Sequence, residues 1–142
     1  MKRRKARECA LQLLFQLDIS QAKPTATLFK RYWTEQEPDD EVRDFTEEIV
    51  KGTVKHLKTI DEKVLACAKN WALDRMATVD RNVLRLAAYE ILYRLDIPPS
   101  VTINEAIELA KKYGSDESGS FVNGILDCVA RVAGKVDARQ LR

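Results

Sequence analysis

The chain has 142 residues, 45% of them hydrophobic, 32% charged and 7% aromatic, with 24 basic and 22 acidic side chains and a net charge of +2. That length suits one compact domain that buries enough surface to need no covalent staple, and five Gly and four Pro exclude a disordered or collagen-like chain. No apolar run reaches the length of a membrane span, and the near-neutral total leaves the distribution of charge, not its sum, to name a partner.

The whole chain reads as helix. Ala6, Ala10, Leu13, Leu14 and Leu17 recur at three- and four-residue spacing and mark the buried stripe of a first helix, which should end before Lys23-Pro24 because proline disfavours helix in the residue before it. Leu28, Phe29, Tyr32 and Trp33 form a short second helix that Pro38 breaks, and Asp39 or Asp40 can cap the third. The third carries Val42, Phe45, Ile49, Val50, Val54 and Leu57. Thr59-Ile60-Asp61-Glu62 fits a capping box that opens a fourth helix with Val64, Leu65, Ala68 and Trp71 on its core face. A fifth helix runs from Val79 to Leu95 with Val83, Leu84, Ala87, Ala88, Ile91, Leu92 and Leu95 inward. Pro98-Pro99 stops it, and Thr102-Ile103-Asn104-Glu105 is a second capping box. Gly114 suits the left-handed position after the sixth helix. A polar loop from Ser115 to Ser120 leads to a last helix with Val122, Ile125, Leu126, Val129 and Ala133 at helical spacing. These patterns predict an all-α fold of about seven helices in two small bundle-like halves of one domain, 1–58 and 59–142.

Cys9, Cys67 and Cys128 sit among Ala, Leu and Val, far apart in sequence, and are expected as buried reduced thiols. His56 is the single histidine and cannot build a metal site alone. Neither a catalytic triad nor a dinucleotide fingerprint is present, so no catalytic residue, metal or cofactor is expected. No long apolar stretch follows the basic start, so a cytoplasmic protein is expected.

The strongest anomaly is that start. Lys2, Arg3, Arg4, Lys5 and Arg7 crowd cations where the helix dipole disfavours them. They form either a solvated, frayed terminus or a phosphate-binding arm. The acidic residues are segregated as well: Glu35, Glu37, Asp39, Asp40, Glu41, Asp44, Glu47 and Glu48 read as a solvated face from which nucleic acid would be repelled. Leu11 and Phe15 give the first helix a second apolar pair, either extra core or a partner site. Tyr113 and Phe121 flank the small polar loop, which serves either as a plain helix-to-helix turn or as two rings on which unpaired bases stack. Glu105 and Glu108 read as surface residues, Glu108 pairing with Lys112.

Four stretches make the chain resemble a known family. Arg3-Arg4-Lys5-Ala6-Arg7-Glu8-Cys9-Ala10-Leu11-Gln12, Val79-Asp80-Arg81-Asn82-Val83-Leu84-Arg85-Leu86-Ala87-Ala88-Tyr89-Glu90, Ile103 to Gly114, and Ser118-Gly119-Ser120-Phe121-Val122-Asn123-Gly124-Ile125-Leu126-Asp127 look like the bacterial NusB transcription antitermination factors. The resemblance implies a non-enzymatic protein that pairs with the small-subunit ribosomal protein acting as NusE. It implies that the pair binds the single-stranded boxA element of nascent ribosomal RNA and joins other Nus factors on RNA polymerase to suppress termination. Carried over by position, Lys2, Arg3, Arg4, Lys5 and Arg7 would be the RNA-binding arm. Tyr113, Glu117, Ser118 and Phe121 would line the same surface, Glu117 opposing RNA slightly. Phe15 and Asp80 would meet the ribosomal-protein partner. Apart from the resemblance, the sequence leaves open a homodimer through the apolar residues around Phe15, which would hide that partner site. The segment 131–142 diverges and is expected only to finish the last helix and add positive charge. Two other readings stand beside this one: a helical interaction scaffold without direct RNA contact, and a methyltransferase-associated module lacking its cofactor-binding sheet.

Overall fold

The computed structural model of the chain describes residues 1–69 and 71–134. Among them are seven α-helices and no strand: α1 (Lys2–Ser20), α2 (Ala26–Trp33), α3 (Asp40–Lys55), α4 (Leu57–Cys67), α5 (Thr78–Tyr93), α6 (Pro99–Tyr113) and α7 (Ser118–Val132), with a 3-10 turn at Leu73–Arg75 before α5. The charge expected from the segment 131–142 falls largely on residues 135–142, outside the described residues. No helix among the described residues is long and apolar enough to cross a membrane.

Apolar spacing builds these helices, and the core confirms most of the stripes, although Leu65, expected inward on the fourth helix, is 39% exposed. Leu13, Ile49, Ile60, Leu84, Ile91, Ile103 and Leu126 are all essentially inaccessible to water, so each helix gives one face to a shared interior. α5 is the central element, packed against α1, α3, α4, α6 and α7, and ten of its residues from Asp80 to Ile91 are buried. Several of its polar residues are therefore forced inward. Glu90, fully buried, accepts a bidentate pair of hydrogen bonds from Arg7 of α1 at 2.8 and 2.7 Å and a third from the Thr102 hydroxyl of α6 at 3.0 Å.

Capping follows local chemistry at two helices. The Thr25 hydroxyl accepts from the Leu28 amide at 3.1 Å and the Asp39 carboxylate from the Glu41 amide at 2.9 Å. The two expected capping boxes do not form. α4 begins at Leu57, so Thr59 lies inside it. α6 begins at Pro99, whose fixed backbone suits a first helical position, which turns Thr102 inward to Glu90. Leu95 is 75% exposed, because α5 ends at Tyr93 and Ile97 fills the interior in its place. Gly114 is extended, with φ −102°. Its need for glycine is steric: a Cβ there would lie 2.7 Å from the Ala110 carbonyl oxygen and 2.5 Å from the Ser118 hydroxyl.

The cysteines divide. Cys9 is a buried free thiol, as expected of all three. Cys67 and Cys128 instead form a disulfide between the end of α4 and α7, with their Cα atoms 5.8 Å apart. Sixty-one residues separate them in sequence, and only the packing of α4 on α7 brings them together.

Candidate nucleic-acid interface

α1 delivers the arm. Met1 to Lys5 are exposed and helical from Lys2, and α1 has no side-chain cap and no acidic residue in its first turn. Its cations are held by neighbouring carboxylates. Lys2 lies 3.3 Å from Asp39 and 3.6 Å from Glu41; both partners raise the ammonium pKa, Asp39 foremost through its hydrogen bond. The acidic start of α3 is thus not a separate solvated face, since it touches the arm. Arg3 lies over the Phe45 ring at 4.7 Å. Arg4 makes a bidentate pair with Glu105 of α6 at 2.9 and 2.7 Å while its side chain stays 52% exposed. The hydrogen bond from Arg4 holds the Glu105 carboxyl below its ordinary range, against the opposing effect of burial.

Arg7 departs from the arm. It is 4% exposed and committed to Glu90, so its guanidinium is not presented to a phosphate. Helical phase is the reason: Arg7 follows Ala6 and precedes Ala10 on the buried side of α1.

The loop after α6 stands on the neighbouring edge of the same support. Glu105, Glu108 and Lys112 share the α6 face turned to α1: Lys112 pairs with Glu8 at 2.6 Å, not with Glu108 as the i,i+4 spacing suggested. Ile107 and Lys111, about a third of a turn round the helix, meet the start of α7 at Gly119. Tyr113 is exposed, with the Lys112 ammonium 5.3 Å from its ring centre. Glu117 is exposed, and Phe121 is half-buried against the core. Ser118 is buried, its hydroxyl accepting from the Ser115 amide at 2.9 Å, so it shapes the loop from beneath. α6 therefore joins the basic end of α1 and the Tyr113–Phe121 loop. Along the groove between α1 and α6, Arg4, Glu8, Glu105, Glu108, Lys111 and Lys112 line a shallow pocket.

Of the two residues expected at a protein partner, Phe15 lies on the half of α1 away from the arm and Asp80 on α5. Leu11 is core, whereas Phe15 is 38% and Ile19 63% exposed, and with Leu28 they line an apolar pocket. Asp80 is buried in the first turn of α5, and its Oδ1 has no hydrogen-bond partner among the described residues. The two elements are tied beside it: the Asp18 carboxylate accepts from Arg81 at 2.8 Å and from Asn82 at 2.9 Å. Sequence reasoning missed Trp71. Its spacing matched the core stripe of the fourth helix, yet it lies beyond the end of α4, 49% exposed, edge-to-face with Phe121.

The chain is similar to known proteins of one family. The family model described as the NusB family matches residues 4–131. A transcription antitermination protein NusB from Anaeromyxobacter dehalogenans is 53% identical over 130 residues, covering 91% of this chain and 90% of that protein. The solved structure of NusB from T. maritima superposes with a TM-score of 0.83 at 39% identity, covering 91% of this chain and 90% of that one. A solved complex of the antitermination factors NusB and NusE with double-stranded RNA matches with a TM-score of 0.82 at 28% identity, over 92% of this chain and 97% of that one. With the family model spanning nearly all of the described fold and a relative more than half identical, the chain belongs to the NusB family of transcription antitermination proteins.

Proposed function

We propose that this chain is a non-enzymatic, cytoplasmic RNA-binding antitermination factor. With the small-subunit ribosomal protein that acts as NusE, it binds the single-stranded boxA element of a nascent transcript and acts with other Nus factors on RNA polymerase. The observation that carries this reading is the joining, by α6, of an exposed cationic helix start to an exposed aromatic loop. Lys2, Arg3, Arg4 and Lys5 supply phosphate attraction, while Tyr113 and Phe121 supply ring faces for unpaired bases. Ser118 sets the loop, and Glu117 opposes RNA slightly. The NusB–NusE–RNA complex among its structural relatives supports both partners. Phe15 and its apolar surroundings are the proposed docking patch for the NusE-like protein, with Asp80 of α5 the second proposed partner residue; a homodimer through the residues around Phe15 competes for the same patch.

One observation favours the scaffold reading. Lys2 and Arg4 are already paired within the molecule, so RNA must compete with Asp39, Glu41 and Glu105. The isolated chain is therefore expected to bind boxA RNA weakly and the heterodimer more tightly. Photo-crosslinking of RNA to the heterodimer separates the readings. Crosslinks on Tyr113 or Phe121 are expected; crosslinks on the ribosomal protein alone would leave this chain a scaffold. With Arg7 removed from the arm, four cations remain. If each contacts a phosphate, log affinity should fall against log salt with a slope of roughly −2.8, and a salt-independent affinity would contradict the electrostatic part.

A further inference from the structure

The Trp71 indole is half exposed, although burying such a ring is among the most rewarding packing choices a chain has. It is nonetheless held in place. Its amide donates to the Ala68 carbonyl at 3.0 Å, closing a turn directly after α4. Cys67, one residue before that turn begins to close, is bonded to Cys128 of α7. Phe121 and Cys128 are seven residues apart on α7 and so lie on one face of it, two turns from each other. The bridge at Cys128 and the ring contact at Phe121 thus place Cys67 and Trp71 along a single strip of α7. The indole meets Phe121 edge-to-face, with ring centres 5.5 Å apart and planes at 69°. A single ring approaching at that angle occupies at most one indole face.

One lysine lies close in sequence. Lys69 is exposed two residues before Trp71. A half-exposed indole beside a second ring suits an unpaired base, which stacks on the face the second ring leaves open. We infer that Trp71 is a further RNA-contacting side chain, stacking an unpaired base beside Phe121 on a turn positioned by the Cys67–Cys128 bridge. This rests on the RNA-binding reading and extends its surface to a segment that neither the arm nor the loop includes.

The full chain carries two tryptophans, Trp33 and Trp71, so a Trp33→Phe background isolates the Trp71 emission. The probe is a single-stranded 12-nucleotide RNA of mixed sequence, compared with the same strand annealed to its complement. Quenching of Trp71 by the single strand is expected, with far less by the duplex. Trp71→Ala should weaken single-strand binding by about tenfold, and Trp71→Phe by less than about threefold, because a ring remains. Melting temperature reads folding separately. If emission is unmoved and Trp71→Ala binds the single strand like the parent chain, the inference falls while RNA binding stands. If the parent chain binds neither RNA, with or without the NusE-like protein, the RNA-binding reading fails and this inference with it.

Discussion

Arg4 and Arg7 stand one turn apart on α1, carry the same guanidinium and meet different environments. Arg7 and Glu90 are both removed from water, and their mutual pairing with Thr102 offsets the desolvation. Arg7→Met leaves an uncompensated buried carboxylate and is expected to lower unfolding free energy by about 3–5 kcal/mol in denaturant titration. The double variant Arg7→Met/Glu90→Met should recover much of that loss, because both charges leave together. Arg4 is half exposed and held by Glu105. Glu105→Gln removes the competing charge and is expected to tighten RNA binding several-fold in a fluorescence-anisotropy titration; unchanged or weaker binding would mean that Arg4 does not reach phosphate. These two roles were not separable from sequence. A run of five cations within six residues reads as a single arm, and only the helical phase set by Ala6 and Ala10 against α5 turns Arg7 inward.

At the scale of elements, the Cys67–Cys128 bridge and the Gly114 turn hold two parts of the candidate surface in place. A bridge closing a loop of about 60 residues contributes about 4 kcal/mol in the chain-entropy account. Reduction with a dithiol is expected to lower the melting temperature by several degrees, with alkylation and mass spectrometry tracking the two thiols; an unchanged melt with both thiols freed would contradict that contribution. Gly114→Ala forces a methyl group against the Ala110 carbonyl and the Ser118 hydroxyl. It should destabilise the chain by about 1–3 kcal/mol and loosen the loop that carries Tyr113. The helices themselves were legible, since the apolar stripes of α1, α3, α5 and α7 coincide with buried residues. Their starts were less so. Thr59 and Thr102 carry capping-box spacing, but the chain enters α4 and α6 earlier, and a four-residue pattern cannot see that Glu90 needs Thr102. The bridge was invisible for a related reason: two cysteines far apart in sequence carry no distance, and the packing of α4 on α7 supplies it.

Across the whole molecule, carboxylates join α1 to the rest. Burial works to raise the Asp18 carboxyl, yet hydrogen bonds from Asn82 and Arg81 and the charge of Arg85 hold it below its ordinary 3.8. Glu105 is likewise held below 4.5, by Arg4 first. Groups depressed in the folded state add stability that is complete above their unfolded values and disappears as pH falls through the folded ones. Thermal stability should therefore be level from about pH 7 to 5 and fall progressively below about pH 4.5; a melting temperature that rises on acidification would contradict these pairings. The family likeness was legible because its stretches are long and contiguous. Trp71 was not, since an indole at helical spacing reads as core until the end of α4 is known. Most direct is a backbone NMR titration of the full chain, alone and with the NusE-like protein, by single-stranded boxA-type RNA. Amide shifts concentrated in residues 2–5, 69–71 and 113–121 are the expected result. Shifts absent from both the start of α1 and the 113–121 loop would contradict a single RNA-holding surface organised by α6.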